Sequence, residues 1–342
     1  MGANDIVQII TTLFVIFGNT SLITVFALTK RIQTSTNIFI IVVATSDLLV
    51  SLVLAATRRT LGRRSIDHGS NLVCTTAGTC MYVTFFVSFF GQTAIATNRY
   101  VKICWPNAYS RIFNRRNVIL ITVGIWLFSL VLVVGSATLG WVVYSYDERV
   151  KLCSIDRRYP TFAVIMIIVG VLVPSFINLG LYTMVIRKIR KSGPAVSKPR
   201  PPANTSSSTT NRTKYGRRAQ SGNVDTVFRS SKRLNAKTRA VAVLLLAFVV
   251  YVILFYPVAG AIIADFYTTA DLDEVLTWTM LMAYAGCATN PIIYGFLNTN
   301  IKNAYKNCFR RCCCRCRCCP GYIVHEEPSS ERTTNDTVST SL

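Results

Sequence analysis

Two charges stand inside apolar runs of this 342-residue chain: Asp47 in "VVATSDLL" and Arg99 in "TAIATNRYVKIC". Ionisable groups at such places are costly unless paired, so each is a candidate functional group. Asn19 in "FGNTSL", Ser88 and Asn290 in "TNPIIY" fall at comparable depth in their own runs, and together with Asp47 they offer carboxylate, amide and hydroxyl oxygens that suit a monovalent cation or a water network. Arg99 brings five N–H donors and no acceptor, a group that must change partners if its surroundings rearrange. The only histidines, His68 and His325, lie outside the apolar runs, so no metal or nucleophile constellation of an intramembrane enzyme is present, and the chain reads as a non-enzyme.

The elements that position these groups are apolar runs long enough to cross about 30 Å of hydrocarbon as helix. Seven are found, near 6–29, 37–57, 72–104, 117–139, 160–187, 238–264 and 273–297, in a chain that is 51% hydrophobic and 15% charged. Backbone groups in lipid must be satisfied within the segment, and runs of this length exclude the short alternating strands of a barrel. The expected fold is an all-α integral membrane bundle of seven helices over 6–297, with a short outer N terminus at 1–5. The first run lacks a basic leader and a small-residue cleavage site and reads as a retained helix. Lys and Arg collect in one set of connections, above all between the fifth and sixth runs, which puts that face in the cytosol and the N terminus outside. The net charge of +22 therefore points to anionic lipid heads rather than nucleic acid. The outer "RRTLGRR" at 58–64 departs from this pattern and offers attraction for an acidic ligand.

Cysteines sort by the same topology. Cys74 and Cys153 fall on the oxidising side, where a disulfide is chemically allowed; Cys80 lies deeper in its helix and is the weaker partner. Cys308, Cys312, Cys313, Cys314, Cys316, Cys318 and Cys319 alternate with arginine just after the last run, a pattern that favours S-acylation with palmitate over a zinc knot. Acyl chains there would hold an amphipathic helix, about 298–311 within a 298–319 segment, on the inner leaflet. The Pro-, Ser- and Thr-rich connection at 191–235 cannot bury a core and is expected to be disordered, and its two sequons at Asn204 and Asn211 should stay bare in the cytosol. The tail at 320–342 is expected to be disordered and carries Ser and Thr for a receptor kinase and then arrestin, and its end, with Thr340 and Leu342, matches a ligand of PDZ domains.

Prolines at 174, 257 and 291 fall in the last three runs, where each removes a backbone hydrogen bond and allows a kink. Taken in order, "GN" at 18–19, "SDL" at 46–48, Cys74 with "NRY" at 98–100, Trp126, Pro174 with Tyr182, Pro257, and "NPIIY" at 290–294 make the chain resemble the rhodopsin-like (class A) G-protein-coupled receptors over about residues 6–311. Within that family, "AIATNRYVKIC" and "YDERVKLC" are similar to melatonin-receptor-like and related orphan receptors, although Pro291 departs from the melatonin pattern.

The resemblance implies a plasma-membrane receptor in which helix six swings outward and frees Arg99 for a heterotrimeric G protein. Asn98, Tyr100, Tyr182, Pro257, Asn290, Pro291 and Tyr294 would be the remaining parts of the switch. It also implies an allosteric Na+ among Asp47, Ser88, Asn19 and Asn290. Asn98 stands where the family usually has an acid, and Lys237 where some members place an acid facing Arg99, so basal signalling is expected. Met81 occupies the position of the monoamine-binding Asp and Tyr284 that of the retinal-binding Lys, which argues against either ligand. The ligand pocket is expected among Met81, Tyr82, Phe85, Phe86, Phe255, Tyr256, Trp278, Met280 and Tyr284, an aromatic and sulfur-rich set suited to an apolar or weakly polar ligand. The alternative reading, a seven-helix transporter or channel, would be expected to show internal repeats, and none is found. The topology is checked by tagging both termini: in intact cells antibody should reach the N-terminal tag only, and access to both from one side would overturn the arrangement.

Overall fold

The computed structural model describes residues 3–61, 70–191, 241–243 and 245–315, with the side chains of 58–61, 70–71, 296 and 311–315 outside that description. Nine α-helices and one hairpin are described. They are α1 (Ala3–Leu28), α2 (Ser35–Leu61), α3 (Ser70–Cys104), α4 (Pro106–Ile112), α5 (Arg115–Thr138), β1 (Tyr144–Asp147), β2 (Leu152–Ile155), α6 (Pro160–Lys191), α7 (Val241–Tyr267), α8 (Asp273–Leu297) and α9 (Thr299–Arg315). Six of these helices are long and apolar enough to span a membrane by themselves, and α8 followed by its bent continuation makes the seventh. The helix expected at 6–29 runs from Ala3 to Leu28 and so takes in residues 3–5 of the short N-terminal segment. The other runs agree with the described helices to within a few residues, whereas the connection at 191–235 and the tail lie almost wholly outside the described residues.

The surface of this bundle is apolar, unlike that of a water-soluble one. Leu13, Phe14 and Phe17 of α1, Val131 of α5 and Phe176 of α6 are exposed on the outer surface, while Asn19, Ser46, Asp47, Ser51, Asn98 and Ser129 are buried. Lipid takes apolar side chains at no cost, and the interior combines a hydrophobic core around Phe39, Ile40 and Val43 with polar groups that hydrogen-bond between helices or to their own preceding turn. Ser51, Thr84, Ser129 and Ser136 each return their hydroxyl to a carbonyl four residues back.

Helix α3 is the axis. It packs against α2, α5, α6 and both strands. Its 35 residues span roughly 50 Å at the usual helical rise, with Cys74 near one end, Ser88 in the middle and Arg99 near the other. At its Cys74 end the antiparallel hairpin pairs Tyr144 with Ile155 and Tyr146 with Cys153. A disulfide joins Cys74 to Cys153 across 79 residues of sequence, with the Cα atoms 5.1 Å apart.

Breaks in helix regularity fall at the prolines. A π turn at Ile168–Leu172 precedes Pro174 in α6, and Gly170 lies there so close to Phe86 that a Cβ would stand 2.8 Å from the ring. Pro291 sits inside α8 against Gly18 of α1, where a Cβ would meet the proline ring at 2.9 Å. Past Leu297 the chain turns by 84° into α9. That helix buries Ile301 and Ala304 against the bundle, bonds Tyr305 to Ser21 at 3.0 Å and leaves Phe309 exposed. Replacing Cys153 with Ala should cost on the order of 4 kcal/mol for a loop this long, read as a lower melting temperature of the purified protein and reduced surface delivery.

Candidate functional site

Three groups of side chains are stacked along α3. Nearest the disulfide is a cavity, open at its mouth, with about 1250 Å3 of space between atoms when the solvent at the mouth is included, covered by the hairpin and walled by α3, α6, α7 and α8. Seven of the nine residues expected there line it: Met81, Tyr82, Phe85, Phe86, Phe255, Met280 and Tyr284. The other two do not. Tyr256 and Trp278 are 36% and 43% exposed on the outside of the bundle, because Tyr256 sits one helical step from the buried Phe255 and Trp278 two steps from the buried Leu276. Phe89 also lines the cavity and joins Phe255 edge to face at 5.1 Å, continuing inward to Tyr251. Its i+4 spacing from Phe85 was the available signal.

The mouth of the cavity carries an ionic cluster absent from the sequence-based expectations. Arg149, in the hairpin turn, uses all five N–H groups: Nε and Nη2 go to Asp147, Nη1 and Nη2 to Asp265 of α7, and Nη1 to Asp273 of α8 at 3.1 Å. Arg157 also donates to both oxygens of Asp265, whose side chain is only 6% exposed. The accepting carboxylates hold the Arg149 guanidinium in its charged form far past its usual range, chiefly Asp265 and then Asp147. Next to it, the Arg158 guanidinium lowers the Asp156 carboxyl to about 2. The visible signal was the Asp-to-Arg spacing of two residues, present in both "DER" and "DRR".

At mid-depth Asp47 is 1% exposed. Its carboxylate accepts from Ser88 Oγ at 3.1 Å and Asn290 Nδ2 at 2.9 Å, both neutral donors, which joins α2, α3 and α8. Gln92, Tyr251, Cys287 and Thr289 complete a small cavity around the carboxylate. Asn19 lies in an adjoining position rather than on Asp47: its amide donates to the carbonyls of Val15 and Cys287, and its Oδ1 is buried with no hydrogen-bond partner. A carbonyl freed on α8 ahead of Pro291 draws Asn19 that way.

At the far end of α3, Asn98 is fully buried, accepting from Thr36 of α2 and donating to Tyr109 of α4 at 3.5 Å. Both of its polar atoms are therefore engaged away from Arg99. The guanidinium of Arg99 has its Nε buried without a hydrogen bond and lies within electrostatic reach of the hydroxyls of Tyr109, Tyr294 and Tyr182. Tyr182 and Tyr294 are buried in the main core cluster, with Tyr100 packed at its edge. Pro257 is exposed on the outer side of α7, where a proline relaxes the helix without contacting the other switch residues. Thr36 and Tyr109 escaped the sequence reading because their contacts are long-range.

Residues 18–294 match the sequence model of the family described as "7 transmembrane receptor (rhodopsin family)". The chain belongs to that family. Among similar proteins, the melatonin receptor type 1B of Gallus gallus is 28% identical over 279 residues, covering 79% of this chain and 85% of that receptor. The melatonin receptor type 1A of Mus musculus is 25% identical over 320 residues, covering 88% and 78%. The crystal structure of squid rhodopsin superposes with a TM-score of 0.72 at 20% identity over 92% of this chain and 86% of the other, which shows the shared seven-helix fold. The protein is a G-protein-coupled, multi-pass membrane receptor of class A, similar to melatonin receptors, and its family is one of receptors rather than enzymes.

For this receptor, Arg149→Gln abandons the carboxylates of three elements and should cost about 3 kcal/mol, measured as a lower melting temperature. Lys151→Gln, removing a half-exposed ammonium 3.4 Å from Asp5, should leave it unchanged.

Proposed function

We propose that the receptor sits in the plasma membrane with its N terminus outside and its C terminus in the cytosol, and couples an extracellular ligand to heterotrimeric G proteins through an outward movement of α7 around Arg99. The observation that carries this is the state of Arg99: its Nε is buried and unpaired, while the neighbouring Asn98 is committed to Thr36 and Tyr109. A guanidinium with spare donors in a closed bundle gains partners when the inner mouth opens onto a peptide rich in carbonyls. Tyr182 and Tyr294 then have room to turn toward it. With an amide in place of the acid that would lock Arg99, the closed state is held less firmly, and basal signalling follows.

The ligand fits an apolar body. Seven aromatic or sulfur-bearing side chains expected at the site line the cavity, Met81 in place of an acid leaves an amine without a counter-ion there, and Tyr284 leaves retinal without its lysine. The melatonin receptors among the relatives make neutral indole amides the first class to try.

At mid-depth, Asp47 is a buried carboxylate that meets only neutral donors; its oxygens and the Ser88 hydroxyl suit Na+ with water, while Asn290 turns its Nδ2 to the carboxylate. Asn19 contributes its orphaned Oδ1 from the adjoining position. A bound cation supplies the positive charge this pocket lacks; the residues themselves hold α2, α3 and α8 in one register. Palmitate on the α9 cysteines, phosphorylation by a receptor kinase, arrestin binding and a PDZ partner at Thr340 and Leu342 belong to the same reading. Cys308 is half-buried beside Thr29, Cys312, Cys313 and Cys314 are described by backbone alone, and Cys316, Cys318, Cys319, Thr340 and Leu342, like Lys237 and the two sequons, lie outside the described residues.

Co-expression with a panel of Gα subunits tests this. Guanine-nucleotide exchange should exceed that of mock-transfected cells without added ligand, and Arg99→Ala and Asp47→Asn should each lower it by about five-fold or more at matched surface expression. Exchange equal to mock for every subunit would sink the basal component.

A further inference from the structure

The two ends of the bundle differ in charge. Among the described residues every carboxylate except that of Asp47 lies at the disulfide end, in the first turn of α1, in and just after the hairpin, or around the connection from α7 to α8. The Arg99 end carries only cations there, and none of its described arginines or lysines is in an ion pair.

Three of these cations stand on one fixed corner. Arg111 is in the last turn of α4, and Arg115 and Arg116 open α5. Between them Asn114 accepts the Asn117 N–H at 2.9 Å. The Asn114 and Asn117 amides both donate to the Arg111 carbonyl, and that of Asn117 also to Ile112. Phe113 pins the corner from inside: it is buried, stacks on Tyr109, meets Phe39 edge to face and accepts at its carbonyl from Ser35 of α2. A turn locked by its own side chains spares a ligand the cost of ordering it. The three arginines themselves are exposed.

Neighbouring apolar residues give the depth of the corner. One turn along α5 from Arg115 and Arg116 come Ile119 and Leu120, both exposed on the outer surface of the bundle, and Trp105 and Ile112 are exposed beside α4. Arginines one turn from such residues stand where hydrocarbon gives way to head groups. The first turn of α5 holds no acid to balance them. A serine phospholipid brings a single net negative charge to three guanidiniums. A phosphoinositide adds phosphomonoesters, each with more than one negative charge and with oxygens that accept both arms of a guanidinium fork.

We propose that Arg111, Arg115 and Arg116 form a binding site for the head group of a phosphoinositide whose acyl chains lie along Ile119 and Leu120. This is a defined site, beyond the general attraction of a basic chain to anionic lipid. The bound lipid joins the end of α4 to the start of α5, and so holds Tyr109 against Asn98, the neighbour of Arg99. The orientation proposed above decides only which leaflet supplies the lipid.

The full-length receptor in phosphatidylcholine nanodiscs is titrated with phosphatidylinositol 4,5-bisphosphate, reading the fraction of the bilayer that gives half of the maximal thermal stabilisation. Both leaflets share one composition there, so the result is independent of orientation and of G-protein coupling. Phosphatidylserine should need about ten-fold more lipid charge for the same effect. Arg115→Gln with Arg116→Gln should raise the half-point about ten-fold, whereas Lys302→Gln with Lys306→Gln, which takes the same charge from α9, should leave it within about two-fold. Arg115→Lys with Arg116→Lys keeps the charge but loses the forks; it should raise the half-point about three-fold and covers the case in which the Gln pair does not fold. Equal shifts from the α5 and α9 pairs, phosphatidylserine acting at matched charge, or no stabilisation by the phosphoinositide overturns the site. Equal stabilisation by soluble inositol 1,4,5-trisphosphate overturns its assignment to a lipid.

Discussion

Two uncompensated charges, Asp47 and Arg99, govern the interior of this bundle. Neither has an oppositely charged partner among the described residues, and lipid offers no water to solvate either from outside. The surrounding architecture supplies dipoles instead: a hydroxyl and an amide for the carboxylate, three phenols near the guanidinium. Dipoles stabilise a charge less than a counter-ion does, so both groups are held more weakly than an ion pair would hold them. Both sit on or against α3, where Ser88, bonded to Asp47, lies eleven residues before Arg99.

The opposite end of α3 is handled in the reverse manner, with charges in direct ion pairs and the hairpin covalently anchored. The disulfide ties the hairpin to α3, and Arg149 and Arg157 tie it to α7 and α8. In the mechanism we propose, the inner end of α7 moves outward; a roof that bridges the tops of α7 and α8 would keep those tops together and turn that movement into rotation about a fixed outer point. Pro257 and Pro291, each lacking a backbone N–H, are where α7 and α8 can bend below that roof.

Much of this was legible in the sequence because the membrane makes the code simple. Length and apolarity alone located every span, and the rule that buried polar groups find partners drew attention to Asp47, Ser88, Asn290 and Arg99. Rotation of a helix about its axis was harder. Tyr256 and Trp278 are as aromatic as Phe255 and Tyr284, yet a step of one residue turns a side chain about 100°, and in lipid an outward aromatic is as favourable as an inward one. Hydrophobicity that discriminates faces in water loses that power here. The hairpin cluster was missed for a different reason: Asp147, Arg149, Arg157, Asp265 and Asp273 come together from sequence separations of up to 124 residues, and only a folded chain brings them together.

The same contrast explains where specificity can reside. Apolar walls of Met and Phe hold many bodies of the right volume almost equally well, since each added methylene changes binding by about 1 kcal/mol. Polar groups at the mouth discriminate more sharply, because a donor left unmet, or a charge brought beside its like, costs more than an ill-fitting methyl. In this receptor the mouth places a saturated Arg149 beside a half-free Arg157, with an excess carboxylate between them and the other acids. Bonding within the cluster commits every N–H of Arg149 to carboxylates, so that arginine braces the mouth of the cavity and has no donor left for a ligand.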